Sequence, residues 1–313
     1  MTALLKAGAP LRVGTRASAL AVAQTSAIAA QLGTYELVTI TSEGDRSSAP
    51  LASMGGTGVF VSALRDALRA GEVDVIVHSF KDLPTAPAEG IVLAAVPARA
   101  DARDALATRD GVTLVKLPQG SRVGTGSPRR RAQLLAARPD LDVVGIRGNV
   151  DTRLGRLYDA DDDRRVDGLV LAAAGLERLG RLGDASELLD IQRWPTAPAQ
   201  GALALEIRAD APASLAERIA VVDHAFTHLA ATAERGVLAR LEAGCSAPIA
   251  AHATVVDGVI TLIAAVFAPD GQSELTIVET GAADADPLEL ADRVASALLE
   301  RGAATLAPLG SAR

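Results

Sequence analysis

The feature that most constrains this chain is a repeat inside it. Arg12-Val13-Gly14-Thr15 recurs as Arg122-Val123-Gly124-Thr125, and each copy reaches a serine, Ser18 or Ser127, within three residues. An Ala/Leu/Gln-rich stretch of helical character follows in both. Each copy then continues with a β-branched run before a glycine-containing turn, at residues 37–40 and 142–146. A third run, Val73-Asp74-Val75-Ile76-Val77, is answered by Val166-Asp167-Gly168-Leu169-Val170. Short apolar runs alternating with helical stretches predict βαβ units and parallel sheets. Two similar α/β domains are the simplest chain that does this twice.

Beyond about residue 220 the pattern changes. Residues 222–243 read as one helix, and strand-like runs follow near 249–256, 259–267 and 274–279. Asp257-Gly258 and Asp270-Gly271 separate them as hairpin turns. A last helix opens at Asp286-Pro287, an N-cap followed by proline at the first helical position. Its expected buried face is Leu288, Ala291, Val294, Ala295 and Leu298. Residues 222–313 are therefore expected to form a small α+β domain, an antiparallel sheet covered by helices. Pro97, Pro195 and Pro198 break the periodic pattern, which puts hinges near 98–102 and 196–201 and the first two domains at 1–98 and 102–196.

Composition narrows the class. Hydrophobic residues make up 49% of the 313, and charged ones 22%, enough to build a packed core. Aromatics at 2% leave little for base stacking, and a net charge of −7 makes a poor partner for nucleic acid. Any anion site must be a local basic cleft. One cysteine excludes an internal disulfide and fits a reducing compartment. Residues 17–35 carry no formal charge, but Ser, Thr and Gln dilute them into a helix behind a strand, and no run spans a bilayer. The expectation is a cytoplasmic protein without membrane partners.

Open α/β sheets bind ligands beyond the carboxyl ends of their strands. There the chain places Gly14-Thr15-Arg16-Ala17-Ser18 in one half and Gly124-Thr125-Gly126-Ser127-Pro128-Arg129-Arg130-Arg131 in the other. Helix-start N–H groups, hydroxyls and guanidiniums make an anion site. The same residues also serve as ordinary N-caps with a solvated basic first turn, although arginine there opposes the helix dipole. Arg147 and Arg153, in Arg147-Gly148-Asn149-Val150-Asp151-Thr152-Arg153, either join that cleft or sit on a surface loop. His78-Ser79-Phe80-Lys81-Asp82-Leu83-Pro84 ends another strand with an imidazole, a hydroxyl, an ammonium and a carboxylate. It is a reactive strand end or a surface Lys–Asp pair. Cys245, in a Gly-flanked turn after a helix, is a buried apolar filler or an accessible thiol. His224 and His228 have helical metal-pair spacing without further ligands, and Asp161-Asp162-Asp163 reads as a solvated connector; no metal site is expected.

Together these segments, with Ala199-Gln200-Gly201-Ala202 and residues 241–248, resemble the porphobilinogen deaminase (hydroxymethylbilane synthase) family. They stand in family order from residue 12 to residue 248. The resemblance implies two periplasmic-binding-protein-like α/β domains facing a cleft, with the chain returning to the first domain over 200–219, plus the small third domain. It implies a transferase that joins four porphobilinogen molecules head to tail into 1-hydroxymethylbilane, releasing ammonia at each step. It implies a dipyrromethane cofactor held by a thioether to Cys245, and a monomer. Asp82 would stabilise positive charge on pyrrole nitrogens, with Lys81 keeping it ionised and binding carboxylates. Ser79, Thr125, Ser127, Arg129 and Arg130 would hold the cofactor; Arg16, Ser18, Arg147, Arg153 and Gln200 would line the substrate path. Thr57 and Ser53 stand where many members carry basic residues, so the loop bearing them brings less positive charge. The alternative from another class is a non-catalytic solute-binding protein for a polycarboxylate, which would need neither Cys245 nor a third domain.

Overall fold

In the computed structural model, which describes residues 9–41, 58–242, 247–307 and 309, each copy of the repeat forms the heart of a five-stranded sheet. Cys245, Ser53 and Thr57 lie outside the described residues. The first copy runs β1 (Leu11–Arg16), α1 (Ala19–Ala29), β2 (Tyr35–Ile40), α2 (Gly58–Arg69), β3 (Val75–Ser79) and β4 (Ile91–Ala95). The second runs β5 (Asp104–Thr108), β6 (Arg122–Gly124), α3 (Pro128–Ala137), β7 (Asp142–Val144), α4 (Val150–Gly155), β8 (Gly168–Ala172), α5 (Ala173–Arg178) and β9 (Glu187–Leu188). The chain then adds β10 (Leu203–Arg208) to the first sheet. The strand orders, β2-β1-β3-β10-β4 and β7-β6-β8-β5-β9, match position for position.

The repeated residues explain the match. The backbone N–H of Arg12 donates to the Asp74 carboxylate (2.9 Å), and that of Arg122 donates to Asp167 (2.8 Å). In return each Asp N–H donates to the Arg carbonyl at 2.8 Å. The same Arg…Asp clasp thus registers the central strand against its parallel neighbour in both sheets.

The sheets are mixed, not purely parallel as the sequence predicts. β10 runs antiparallel to β3 and β4, and β5 antiparallel to β8 and β9. Both exceptions are the strands that enter each sheet from outside the repeated βαβ unit, so no crossover helix constrains their direction.

Two compact units result: residues up to 99 with 202–228, and residues 100–201 with 229 onward. The apolar core of the first is built on Leu11, Val13, Val75, Val77, Leu203 and Leu205 beneath α1. The second unit holds the other α/β sheet and an antiparallel sheet, β11 (Ile249–Val256), β12 (Val259–Phe267) and β13 (Glu274–Ala282). Against it pack α7 (Ala225–Arg240), numbered after α6 (Ala213–Ala220), and α8 (Pro287–Glu300), which is followed by the single turn α9 (Ala303–Leu306). Asp286 caps α8 by accepting from Leu288 N–H at 2.9 Å. Leu290, and not Leu288, completes its buried face with Ala291, Val294, Ala295 and Leu298. Leu288 stands one turn earlier, half exposed beside Gly236 of α7. No described helix is long and apolar enough to cross a membrane.

The segment leading into β10 is held in an unusual conformation. Ala199 has φ 60°, and its N–H donates at 2.6 Å to the fully buried Glu234, whose other oxygen accepts from Ala253 N–H at 2.6 Å. Gly201 has φ 87°, and a Cβ there would come within 2.6 Å of the Ala100 carbonyl oxygen. Gly201→Ala is therefore expected to destabilise the protein by about 2–4 kcal/mol, from left-handed strain plus overpacking against backbone. A lowered urea midpoint with an unchanged slope is the measurement that checks it.

Candidate functional site

Within the first unit, a cavity of about 90 Å³ opens at the carboxyl ends of β1 and β3. Arg16, Ser18, Gln24, His78, Ser79 and Asp82 supply its polar wall, and Leu20, Val61, Leu64 and Val77 its apolar one. The chain reaches it by simple local devices. Thr15, fully buried at the end of β1, donates to the Ala21 carbonyl (3.1 Å) and accepts from the Thr25 hydroxyl (2.8 Å). Ser18 caps α1, accepting from Ala21 N–H at 3.2 Å. These bonds fix where α1 starts and so where Arg16 and Ser18 stand. After β3, a single 3₁₀ turn, Phe80–Asp82, is anchored by the Phe80 N–H to the Ala202 carbonyl (3.0 Å). That turn presents Lys81 and Asp82, both partly exposed.

Gln24 is a polar residue that sequence reasoning missed. It is buried on the inner side of α1 and accepts from the Ser79 hydroxyl at 3.1 Å. Its signal was a glutamine within an otherwise small and apolar helix, which invites the question of what it bonds.

The second unit places the remaining predicted residues. Ser127 caps α3, accepting from Arg130 N–H (3.4 Å), and its own N–H donates to the Thr125 hydroxyl (3.2 Å). Arg147 is exposed. Arg153 is partly buried, and its Nε donates to the Gly148 carbonyl at 2.8 Å.

Arg129 and Arg130 do not lie open toward a ligand as expected. Their side chains, 3% and 8% exposed, converge on Asp104 at the start of β5, which is completely buried. Arg129 Nη1 lies 2.9 Å from one carboxylate oxygen and Arg130 Nη2 2.6 Å from the other. Trp194 Nε1 (3.0 Å) and Gln200 Nε2 (2.8 Å) donate to the same carboxylate. Burial opposes ionisation of Asp104, but the two guanidiniums outweigh it and hold the carboxyl far below its usual range. Burial likewise pushes Arg129 down from the ordinary arginine value, against the pull of Asp104. Gln200, expected to line a substrate path, is fully buried in this network and also donates to the Ala102 carbonyl at 2.8 Å. The reason is Asp104: a buried carboxylate collects every strong donor within reach. Arg129 Nε nevertheless remains a buried donor with no hydrogen-bond partner among the described residues.

Arg178, at the end of α5, was also missed. Its Nη2 donates to the Gly201 carbonyl at 2.7 Å, and burial lowers its pKa. The strand-end rule, applied to β8 as it was to β3, points to this segment. A larger hollow of about 250 Å³, lined by Thr108, Arg109, Asp110 and Asp167 among others, contains none of the predicted site residues.

Each unit by itself carries groups that suit a ligand with several carboxylates. The first has Arg16 and the capping hydroxyl of Ser18. The second has Arg147, Arg153, the capping hydroxyl of Ser127 and the buried Arg129 Nε, which has no hydrogen-bond partner among the described residues.

Comparison with known proteins agrees with the family resemblance. Residues 11–216 match the model of the porphobilinogen deaminase dipyromethane cofactor binding domain, and residues 228–300 match that of the porphobilinogen deaminase C-terminal domain. A porphobilinogen deaminase of Leifsonia xyli subsp. xyli is 54% identical, covering 97% of this chain and 96% of that protein. One from Corynebacterium efficiens is 49% identical, covering 95% and 99% respectively. Porphobilinogen deaminase 1 of Streptomyces coelicolor is 48% identical, covering 95% and 97%.

Proposed function

The chain belongs to the porphobilinogen deaminase family, and from that premise we propose that Asp82 is its catalytic carboxylate and Cys245 the anchor of its cofactor. The enzyme condenses four porphobilinogen molecules head to tail into 1-hydroxymethylbilane with release of ammonia, using a dipyrromethane cofactor. A match that continues through residues 228–300 leaves the solute-binding alternative without support.

The observation that carries the residue assignment is the cavity at the ends of β1 and β3. It gathers Arg16, Ser18, Ser79 and Asp82 from segments far apart in sequence. When bound, the dipyrromethane supplies the pyrrole α-carbon to which the first substrate is joined. The protein's own groups do the rest. Asp82 faces the positive charge that develops on pyrrole nitrogen, where an ionised carboxylate lowers the barrier. Lys81, its neighbour in the same turn, offers an ammonium to substrate carboxylates. Thr125 and Ser127 donate hydrogen bonds to cofactor carboxylates, Ser79 joins them by turning its one hydroxyl hydrogen away from Gln24, and Arg16, Ser18, Arg147 and Arg153 hold the carboxylates of the substrate. Arg129, through its spare Nε, keeps a cofactor role. Arg130 and Gln200 are assigned to holding Asp104. A single cysteine suits a reducing compartment and supports a cytoplasmic location, and the monomer rests on the family resemblance.

Intact mass tests the anchor. The wild type should carry an excess equal to two linked pyrroles, and Cys245→Ala should carry none. An unmodified wild type, still unmodified after incubation with porphobilinogen, would sink the assignment.

A further inference from the structure

Beneath the β3 strand end lies a cluster that the reading above does not use. Glu206, on β10 and 5% exposed, is gripped by Arg65 of α2 in a two-pronged contact: Nε to Oε2 at 3.0 Å and Nη2 to Oε1 at 2.6 Å. His78 of β3, 6% exposed, brings Nε2 to 3.2 Å from the same Oε2. That approach is off the line of a hydrogen bond, so Nε2 is a buried atom without a well-directed partner among the described residues. A carboxylate only accepts, so the ring hydrogen belongs on Nε2. Burial works against the Glu206 charge, and the contacts from His78 and Arg65 reverse that, bringing its pKa down to about 2.

Three polar side chains between a sheet and the helix on it are a poor source of stability, because apolar residues of similar volume usually serve as well. Their placement suggests another use. His78 is the one member that also lines the cavity holding Arg16, Ser79 and Asp82. It stands one residue before Ser79 and four before Asp82, opposite Ala204 in the β3–β10 register. We propose that Arg65 and Glu206 fix the His78 ring as part of the cavity wall, and that all three are positioning residues for the Ser79–Asp82 turn. Glu206 thereby ties three elements, α2, β3 and β10, to the geometry of one catalytic carboxylate. The inference rests on the assignment of Asp82 made above.

The test uses cofactor-loaded protein, with loading verified by intact mass. Glu206→Gln keeps the volume but removes the charge that grips Arg65. It is expected to lower kcat by about tenfold or more while leaving KM within about twofold, since small displacements of a reacting group cost rate more than binding. Arg65→Met should reproduce the loss and Arg65→Lys should recover most of it. The charge-removing variants are expected to melt below wild type, since each leaves a buried partner without its counter-charge, so kcat is compared at a temperature where all are folded. Should Glu206→Gln fail to fold, the partly buried Arg65 pair decides the matter alone. Unchanged kcat in folded Glu206→Gln or Arg65→Met overturns the inference, as does a loss that Arg65→Lys does not recover. Asp82→Asn separates the two claims. If it is inactive while Glu206→Gln turns over normally, only the positioning inference falls; if it turns over normally, the Asp82 assignment falls too.

Discussion

Asp104→Asn should unfold this protein well before any surface substitution does. Asparagine keeps the volume of the side chain but removes the charge that two guanidiniums require. Arg129 and Arg130 would then be buried with no counter-charge, Arg129 at 3% side-chain exposure and Arg130 at 8%. Breaking a buried ion pair by deleting one partner costs about 3–5 kcal/mol, and here one carboxylate serves two cations. Against a typical total of about 5–15 kcal/mol, this is a large fraction. In a chain of this size it corresponds to a fall in melting temperature of about 5–8 °C. Asp162→Asn, which removes an exposed pairing with Arg165 in the same unit, is expected to melt with the wild type. An Asp104→Asn protein that also melts with the wild type would mean that another group neutralises the arginines. Their assignment to a structural centre would then have to be given up.

The same residues show where sequence reading reaches and where it stops. The repeat was legible because it is local: Arg12–Thr15 and Arg122–Thr125 carry it in four residues, and the clasps to Asp74 and Asp167 follow from the matching Val-Asp pairs. Strand direction at β5 and β10 was not legible, because an apolar run has the same period whichever way it lies in a sheet. The strand-end rule found Arg16, Ser79 and Asp82, which the fold brings to one cavity. It did not foresee that Arg129 and Arg130 converge on a buried carboxylate, because it counts charges along the chain. Their partner Asp104 is about 25 residues earlier and joins them only through the order of β6, β8 and β5. Gln24 and Glu206 escaped for a related reason. A polar residue inside an apolar element declares its purpose only when the facing element, here β3 in both cases, is known.

Asp82→Asn is the substitution expected to cost the most activity. The 3₁₀ turn that carries Asp82 is held by backbone bonds from Phe80 and Leu83, none of which involve its side chain, so the variant should fold and melt as the wild type does. What it loses is a negative charge at a partly exposed position beside a cavity, where the reaction develops positive charge on a pyrrole ring. Fixed groups aimed at developing charge are worth about 10²–10³ in kcat when one is removed. KM should move little, because the proposed substrate contacts are carboxylates held by arginines that the substitution leaves in place. Asp82→Glu restores the charge but displaces it by one methylene, and it should recover part of the loss and no more. The measurement must be made on protein whose mass confirms the bound cofactor, since failure to load would imitate failure to react. A loaded Asp82→Asn enzyme within about threefold of wild-type kcat would show that the carboxylate's charge is not used in the transition state. The search would then move to His78, which also lines that cavity and carries an imidazole.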